Sequence, residues 1–323
     1  MKSLTVAAFD RVRIVNDATR PKPKSGEILV KVEACALNFA DALMIAGRYQ
    51  DTPPLPFTPG LEFAGRVEAI GADVTAPVPG TRVAAFAGAG GLAEYAVVPA
   101  DRTIPIPEDM PWEIAAGFLV AYGTSHLALA RRARLVRDET LVVLGAAGGV
   151  GLTAVEIGRV MGARVIGVAR GASRGQTVRD AGADLVLDPT NCDLRTTLKA
   201  EGGADVLYDP VGGEAFDAAF RAMRPEGRIL VIGFASGRVP EPKLNHLMVK
   251  NIDLIGVNWG AYGRIRPAAM RSSLATLLEW WDTGRLCPTP PEILPFDRAP
   301  EGIERLGARQ VTGKIVIRMT DAP

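Results

Sequence analysis

Thr140-Leu141-Val142-Val143-Leu144-Gly145-Ala146-Ala147-Gly148-Gly149-Val150-Gly151 carries a β-rich apolar run straight into a glycine-rich turn. Beyond it Val150, Ala154, Ile157 and Met161 recur at helical spacing before Gly162. Strand, glycine turn and helix in that order make a phosphate cradle. Glycine lets the backbone turn tightly and approach a pyrophosphate, whose charge meets free N–H groups at the helix start. A glycine run alone also fits a mere tight turn, but this one sits at the strand-to-helix junction that a nucleotide site requires. The strict pattern asks for glycine at 146 and finds alanine, which tolerates a slightly different turn. Gly145, Ala147, Gly148, Gly149 and Val150 are therefore the expected cradle.

From this stretch onward apolar runs alternate with helical patterns: Thr140 to Ala146, Ala163 to Arg170, Ala183 to Asp188, Ala204 to Asp209, Gly227 to Phe234, and Ile252 to Trp259. Strands covered on both faces read as continuous apolar segments, and parallel neighbours need helical crossovers. The pattern predicts a doubly wound α/β Rossmann domain over 122–260. Its second strand ends Val168-Ala169-Arg170-Gly171-Ala172-Ser173-Arg174. An NAD site usually has an acidic residue about 20 residues past the loop, bound to the ribose 2′-hydroxyl. No carboxylate stands in this stretch. Arg170, Ser173 and Arg174 instead suit a 2′-phosphate, because arginine presents a fixed fork of donors. NADPH is the expected cofactor, and the competing reading leaves both arginines as solvated surface charges.

Before residue 110 the texture differs. Short strands such as Ile28 to Val32 and Arg82 to Phe86 are separated by Pro53, Pro54, Pro56, Pro59 and Gly60, then by Pro77, Pro79 and Gly80. Turn chemistry at that density predicts an antiparallel, barrel-like domain with long loops. Gly313 to Met319 reads as a last strand returning to it, so this domain is expected to be discontinuous, at 1–121 and 261–323.

The 323 residues suit two domains, and 48% apolar residues are enough for both cores. With 37 basic against 36 acidic side chains, no footprint for nucleic acid or an anionic membrane is present. The most apolar stretch, Ile114 to Ala130, is shorter than the about 20 residues that span a bilayer, and reads as a buried helix. Met1 to Phe9 enters a strand-like segment without secretory features, and three scattered cysteines argue against a disulfide framework. The cytoplasm and a small-molecule partner are the expectations.

Asn38-Phe39-Ala40-Asp41, Gly47-Arg48-Tyr49, Pro59-Gly60-Leu61-Glu62-Phe63-Ala64-Gly65 and Gly91-Leu92-Ala93-Glu94-Tyr95 resemble the quinone oxidoreductase branch of the medium-chain dehydrogenase/reductase superfamily. The resemblance continues through Ala121-Tyr122-Gly123-Thr124, the glycine turn, Asp209-Pro210-Val211-Gly212-Gly213 and Gly233-Phe234-Ala235-Ser236-Gly237. It implies a GroES-like β-barrel catalytic domain beside the Rossmann domain, and a homodimer in which the sixth strands pair. Zinc enzymes of the superfamily place a cysteine where this chain has Asn38 and a histidine where it has Leu61. A catalytic zinc takes three nitrogen, sulfur or oxygen ligands from protein, and leucine cannot serve. No metal is expected.

Without a Lewis acid the acceptor must itself be electrophilic, as quinones and α,β-unsaturated carbonyls are. The resemblance places Asn38, Asp41 and Tyr49 along the substrate cleft, with Tyr49 a candidate to bind the carbonyl or deliver a proton. Asn38 and Asp41 also read as the cap and first turn of a helix over Phe39 to Ala46, and Glu62 as structural. Thr124, Val211 to Gly213 and Gly233 to Ala235, Phe234 among them, are expected at the carboxyl edge of the sheet, where ligands bind in open α/β folds. By resemblance these segments, with Asn258 and Lys314, surround the nicotinamide or its phosphates, although Asn258 and Lys314 read equally as loop residues. NADPH-dependent reduction of a quinone is the leading expectation. Reduction of enones or enoyl thioesters, or a weakly active NADPH-binding structural or regulatory protein, are the alternatives.

Overall fold

The computed structural model describes residues 1–319, so 320–323, the end of the expected first domain, lie outside the described residues. Two compact units result. One comprises Met1–Val120 and the chain from Pro290 onward, the other Ala121–Thr289.

The first unit opens with the hairpin β1 (Ser3–Ala8) and β2 (Arg11–Val15). There follow β3 (Glu27–Ala36), α1 (Phe39–Ile45), β4 (Glu62–Ile70), β5 (Arg82–Phe86), β6 (Tyr95–Pro99), β7 (Thr103–Pro105) and α2 (Trp112–Ala116). Ten-residue β3 keeps β4 on one side and changes partner on the other. Glu27 to Lys31 pair with β6, and Ala34 to Ala36 pair with the last strand of the chain. Register shifts between Leu29 and Val30 and between Val32 and Ala34 mark bulges in β3. Bulges and partner exchange bend a sheet round its apolar face, which gives the expected barrel-like core. Leu4, Val30, Phe63, Val67, Leu92 and Ile317 fill it.

The second unit begins within α3 (Phe118–His126) and runs through β8 (Thr140–Leu144), α4 (Gly149–Val160), β9 (Arg164–Val168), α5 (Ala172–Asp180), β10 (Leu185–Leu187) and α6 (Leu194–Ala200). It continues with β11 (Ala204–Asp209), α7 (Gly213–Arg221), β12 (Met223–Val231), α8 (Leu244–Lys250), β13 (Asp253–Gly256), α9 (Tyr262–Ile265) and α10 (Pro267–Asp282). All six expected strands form one parallel sheet in the order β10-β9-β8-β11-β12-β13. The winding runs outward from β8 in both directions, the dinucleotide-binding arrangement. Every residue of β8 is buried. Helix α4 approaches it closely because position 158 is glycine: a Cβ there would stand 2.5 Å from Leu141 Cδ2.

Two expectations are adjusted. The single buried helix over Ile114 to Ala130 is broken at Gly117 between α2 and α3, then continues as a π-helical turn, Leu127–Ala133, closed by Arg134 at φ +52°. Among the described residues no helix is long and apolar enough to cross a membrane. The second boundary lies at Thr289, against the expected 260, because α10 and the segment after it pack on the Rossmann unit. Ser273 Oγ lies 2.7 Å from His126 Nδ1, Trp280 meets the His126 ring edge-on at 5.1 Å, and the Cys287 N–H donates to the buried Glu156 carboxylate. The chain then supplies β14 (Glu292–Pro295), α11 (Ala299–Gly307) and β15 (Ile315–Arg318), the predicted last strand, which pairs with β3.

Candidate functional site

In the second unit β8 delivers the chain into Gly145 at φ +57°, the left-handed region that glycine enters without strain. The Gly148 N–H closes the turn on the Gly145 carbonyl at 2.9 Å, and Gly148 becomes the N-cap of α4 with no side chain capping it. Leu152 N–H is the first to return to the Gly148 carbonyl, so the Gly149, Val150 and Gly151 N–H groups stand at the open start of the helix. A Cβ at 151 would sit 2.3 Å from the Gly145 carbonyl oxygen, and one at 145 would press on Val211 Cγ2 at 2.7 Å. At 148 it would meet just the Gly145 oxygen, at 3.3 Å. Glycine is thus demanded inside the turn, while Gly148 faces open space. Ala146, at the position where the strict pattern wants glycine, is fully buried and its N–H donates to the Val168 carbonyl at 3.0 Å. Its methyl points into the sheet, away from any phosphate.

Arg170 and Ser173 are exposed and Arg174 is half-buried, around Gly171, the N-cap of α5 at φ +82°. Two further segments are stitched together at the carboxyl edge by Asp209. Its Oδ1 accepts the Val211 and Gly212 N–H groups at 2.8 Å each, and its carbonyl accepts that of Ile232 at 2.9 Å. Ala235 and Ser236 N–H groups donate to the Pro210 and Val211 carbonyls at 3.0 and 2.8 Å. The expected segments at 211–213 and 233–235, with Gly233 and Phe234, are therefore one surface. Burial pushes the Asp209 pKa up, and its Oδ2 has no hydrogen-bond partner among the described residues. Thr124 is buried on α3, and its neighbour Ser125 ties that helix to α4 by donating to the Val150 carbonyl at 3.0 Å. Asn258 is exposed and accepts the Ala261 N–H at 3.2 Å, a turn contact.

In the first unit Asp41 is wholly buried under the start of α1. Its Oδ2 accepts the Asn38 N–H and its Oδ1 the Gly60 N–H, both at 2.8 Å. Burial raises its pKa to about 7, against the pull of those two amides and of Lys314. The helix-start reading describes the Asp41 carboxyl, which has no exposed surface. Asn38 is turned toward neighbours as well: Nδ2 donates to Glu62 Oε1 at 3.0 Å, and Oδ1 accepts from Lys314 Nζ at 2.8 Å. Lys314 Nζ also donates to Glu62 Oε1 at 2.8 Å and to the Leu37 carbonyl at 3.1 Å, which engages all three of its donors. Glu62 is fully buried, and its Oε2 accepts the Val120 N–H at 2.9 Å.

Lys314 is thus the cation of an Asn38–Glu62–Lys314 cluster built around the buried Glu62 carboxylate. Tyr49 is half-buried against the barrel core; burial first, then Asp51 and Asp41, raise its pKa, so the phenol keeps its proton. Cys35, beneath this cluster, is a buried thiol donating to the Glu62 carbonyl at 3.3 Å, and burial raises its pKa well above the usual range.

The family described as alcohol dehydrogenase GroES-like domain matches residues 24–108, and that described as zinc-binding dehydrogenase matches residues 149–278. A quinone oxidoreductase-like protein 2 homolog of Nematostella vectensis is 35% identical over 299 residues, 91% of this chain and 82% of that protein. The chain belongs to the quinone oxidoreductase branch of the medium-chain dehydrogenase/reductase superfamily. A mycobacterial structure complexed with NADPH superposes with a TM-score of 0.92 at 30% identity, covering 99% of this chain and 100% of that one. The quinone oxidoreductase of Thermus thermophilus, solved also as its NADPH complex, gives 0.85 at 31% identity over 99% and 100% of the two chains.

Among the described residues no three His, Cys, Asp or Glu side chains are gathered to hold a metal ion. At the two positions where zinc relatives carry ligands, the Asn38 amide is engaged and Leu61 is buried. Glu62, expected as structural, is the carboxylate that Asn38 and Lys314 share. The available signal was a carboxylate at the start of an otherwise apolar strand, Glu62-Phe63-Ala64, which needs a partner once buried.

Proposed function

We propose that this protein transfers hydride from NADPH to a quinone or a similarly electron-poor carbonyl compound, and that it does so without zinc. One observation carries the reading: the uncapped start of α4 at Gly148 to Val150, with Arg170 just past β9 and Ser173 and Arg174 in the first turn of α5 in place of an acidic residue. The first feature suits a pyrophosphate and the second a 2′-phosphate. Thr124, Val211, Gly233 to Ala235 and Asn258 are proposed to line the same nucleotide surface. NADPH, when bound, supplies the hydride, and the chain's own residues bind, orient and exclude water.

In the first unit Asn38 and Asp41 act as positioning groups. They fix the start of α1, and Tyr49 follows that helix with its proton retained. Tyr49 is the group we assign to the acceptor carbonyl, as a wall and hydrogen-bond donor. After hydride arrival on a quinone the remaining proton comes from solvent. Leucine at 61 and an engaged amide at 38 support the zinc-free reading, in which the acceptor's own electrophilicity takes the place of Lewis-acid activation.

A homodimer fits the exposed surface. Leu244, Met248 and Val249 of α8 are 74, 71 and 74% exposed, and α8 leads into the sheet-edge strand β13. An apolar patch beside an open edge favours cover by a second copy. Three cysteines without disulfides suit the reducing cytoplasm. The deciding experiment is an acceptor screen that follows NADPH consumption with quinones, enones and enoyl thioesters. Turnover fastest with quinones is expected. A preference for enoyl thioesters would transfer the assignment to that substrate class, and no turnover with any acceptor would leave a binding protein.

A further inference from the structure

We propose that Asp188 positions the 170–174 turn for the 2′-phosphate and so sets the preference for NADPH over NADH; the inference rests on the nucleotide reading above. Asp188 is the first residue past β10, the strand beside β9. The Ala169 N–H donates to the Leu187 carbonyl at 3.0 Å, which brings the ends of the two strands level. Asp188 Oδ2 then accepts the Gly171 N–H at 2.7 Å. Its Oδ1 accepts both the N–H and the hydroxyl of Thr190, at 2.9 and 2.6 Å. These donors, Thr190 first, hold the carboxyl pKa below its ordinary value, and Arg170 adds to the effect, so the group is charged at neutral pH.

Gly171 is the pivot of the turn. It holds φ +82° and ψ 149°, yet a Cβ there would meet nothing within 4 Å, so no steric wall selects this conformation. Glycine populates positive and negative φ about equally. The Gly171 carbonyl accepts the Gly175 N–H at 3.0 Å as the first bond of α5, and the hydrogen bond from the Gly171 N–H to Asp188 is the contact that holds the residue from outside that helix. With Gly171 held, Arg170 before it and Ser173 and Arg174 after it, in the first turn of α5, are presented in fixed directions. A carboxylate near a phosphate site would ordinarily weaken anion binding; here its two oxygens are occupied by backbone and hydroxyl donors. The acidic residue that marks an NAD site stands at the end of the second strand and faces the ribose. In this chain the acid stands at the end of the third and faces the turn.

A charge effect and a tethering effect predict opposite signs, so two variants separate them. Asp188→Ala removes both the charge and the tether, whereas Asp188→Asn removes the charge and keeps an oxygen that can accept the Gly171 N–H. NADPH and NADH dissociation constants are measured by calorimetry for wild type and both variants, with amide hydrogen exchange over 168–176 as a readout without nucleotide. In Asp188→Ala we expect NADPH to bind about five- to tenfold more weakly, the order of re-ordering one or two freed residues, with NADH within about twofold of wild type. Exchange at Gly171 accelerates in the same variant. Asp188→Asn recovers most of the NADPH affinity.

An unchanged NADPH-to-NADH ratio in Asp188→Ala, with wild type preferring NADPH, overturns the inference and leaves the nucleotide reading intact. Tighter NADPH binding in both variants overturns it too, since Asp188 would then be a mere repelling charge. Equal losses for both nucleotides would reduce Asp188 to a structural residue. A wild type without NADPH preference refutes the reading of Arg170 and Arg174 itself and removes the basis of the inference.

Discussion

Lys314→Met tests the buried cluster of the first unit most directly. The substitution keeps an unbranched side chain of similar length and deletes the ammonium. Glu62 is then left with a 1% exposed side chain, two neutral donors from Asn38 and Val120, and no cation. Removing one partner of a buried ion pair costs about 3–5 kcal/mol, because the surviving charge is uncompensated. The pair here is 2.8 Å long, and Lys314 itself is 14% exposed, so the penalty falls chiefly on Glu62. For a unit of this size each kcal/mol moves the midpoint by about 2–4 °C, so a fall of about 6–20 °C is expected in thermal unfolding of the first unit.

Glu62→Gln should cost less, about 1–3 kcal/mol, because the Lys314 ammonium can still reach water. The double variant should be more stable than Lys314→Met alone, since the buried charge is gone; a coupling of at least about 1 kcal/mol is expected. Urea unfolding of the four proteins closes the cycle. A Lys314→Met loss below about 1 kcal/mol, the scale of an exposed pair, would refute the view that the ammonium compensates Glu62.

Arg170→Ala with Arg174→Ala should weaken NADPH at least about tenfold and leave NADH nearly unchanged, since each charge-assisted phosphate bond is worth about 1.5–3 kcal/mol; equal losses by titration of both nucleotides would contradict the 2′-phosphate assignment. Tyr49→Phe should lower quinone turnover by less than about tenfold and enone turnover by more, and a loss above about a hundredfold for both at intact NADPH affinity would make Tyr49 an obligatory acid. Exhaustive chelation should leave activity and fold unchanged, with elemental analysis finding well below one zinc per chain; stoichiometric zinc needed for turnover would end the zinc-free mechanism. Asp41 titrates near pH 7 when folded, above its ordinary 3.8, so its contribution is fully present below about pH 4 and is lost as pH rises through 7. The unfolding free energy of the first unit from urea titration should therefore fall between about pH 4 and 7, by an amount of order 4 kcal/mol at most, and Asp41→Asn should flatten the profile; a flat wild-type profile would count against the raised pKa.

Local pattern was enough for the Rossmann unit. The runs at 140–146, 163–170 and 204–209 are apolar because both faces of those central strands are covered, and the flanking runs at 183–188, 227–234 and 252–259 continue the alternation to the sheet edges. The turn at 145–151 was legible for a similar reason: glycine is required within a few residues of a strand end, and the chain has it there. The departure at Ala146 cost nothing because its methyl enters the sheet.

Tertiary structure decided what depends on residues distant in sequence. Lys314 reaches Asn38 across 276 positions and Glu62 across 252, and no local signal distinguishes that lysine from a loop residue. Helix α10 and the segment after it join the Rossmann unit through His126 and Glu156, contacts that spacing cannot announce. Asp188 reads in the sequence as the end of a strand; its role arises because β10 and β9 lie side by side and bring a carboxylate to a glycine 17 positions earlier. Hydrophobic periodicity is a property of each segment and survives in one dimension. The partner of a buried charge or a turn is chosen by packing, and exists when distant segments are brought within about 3 Å of each other.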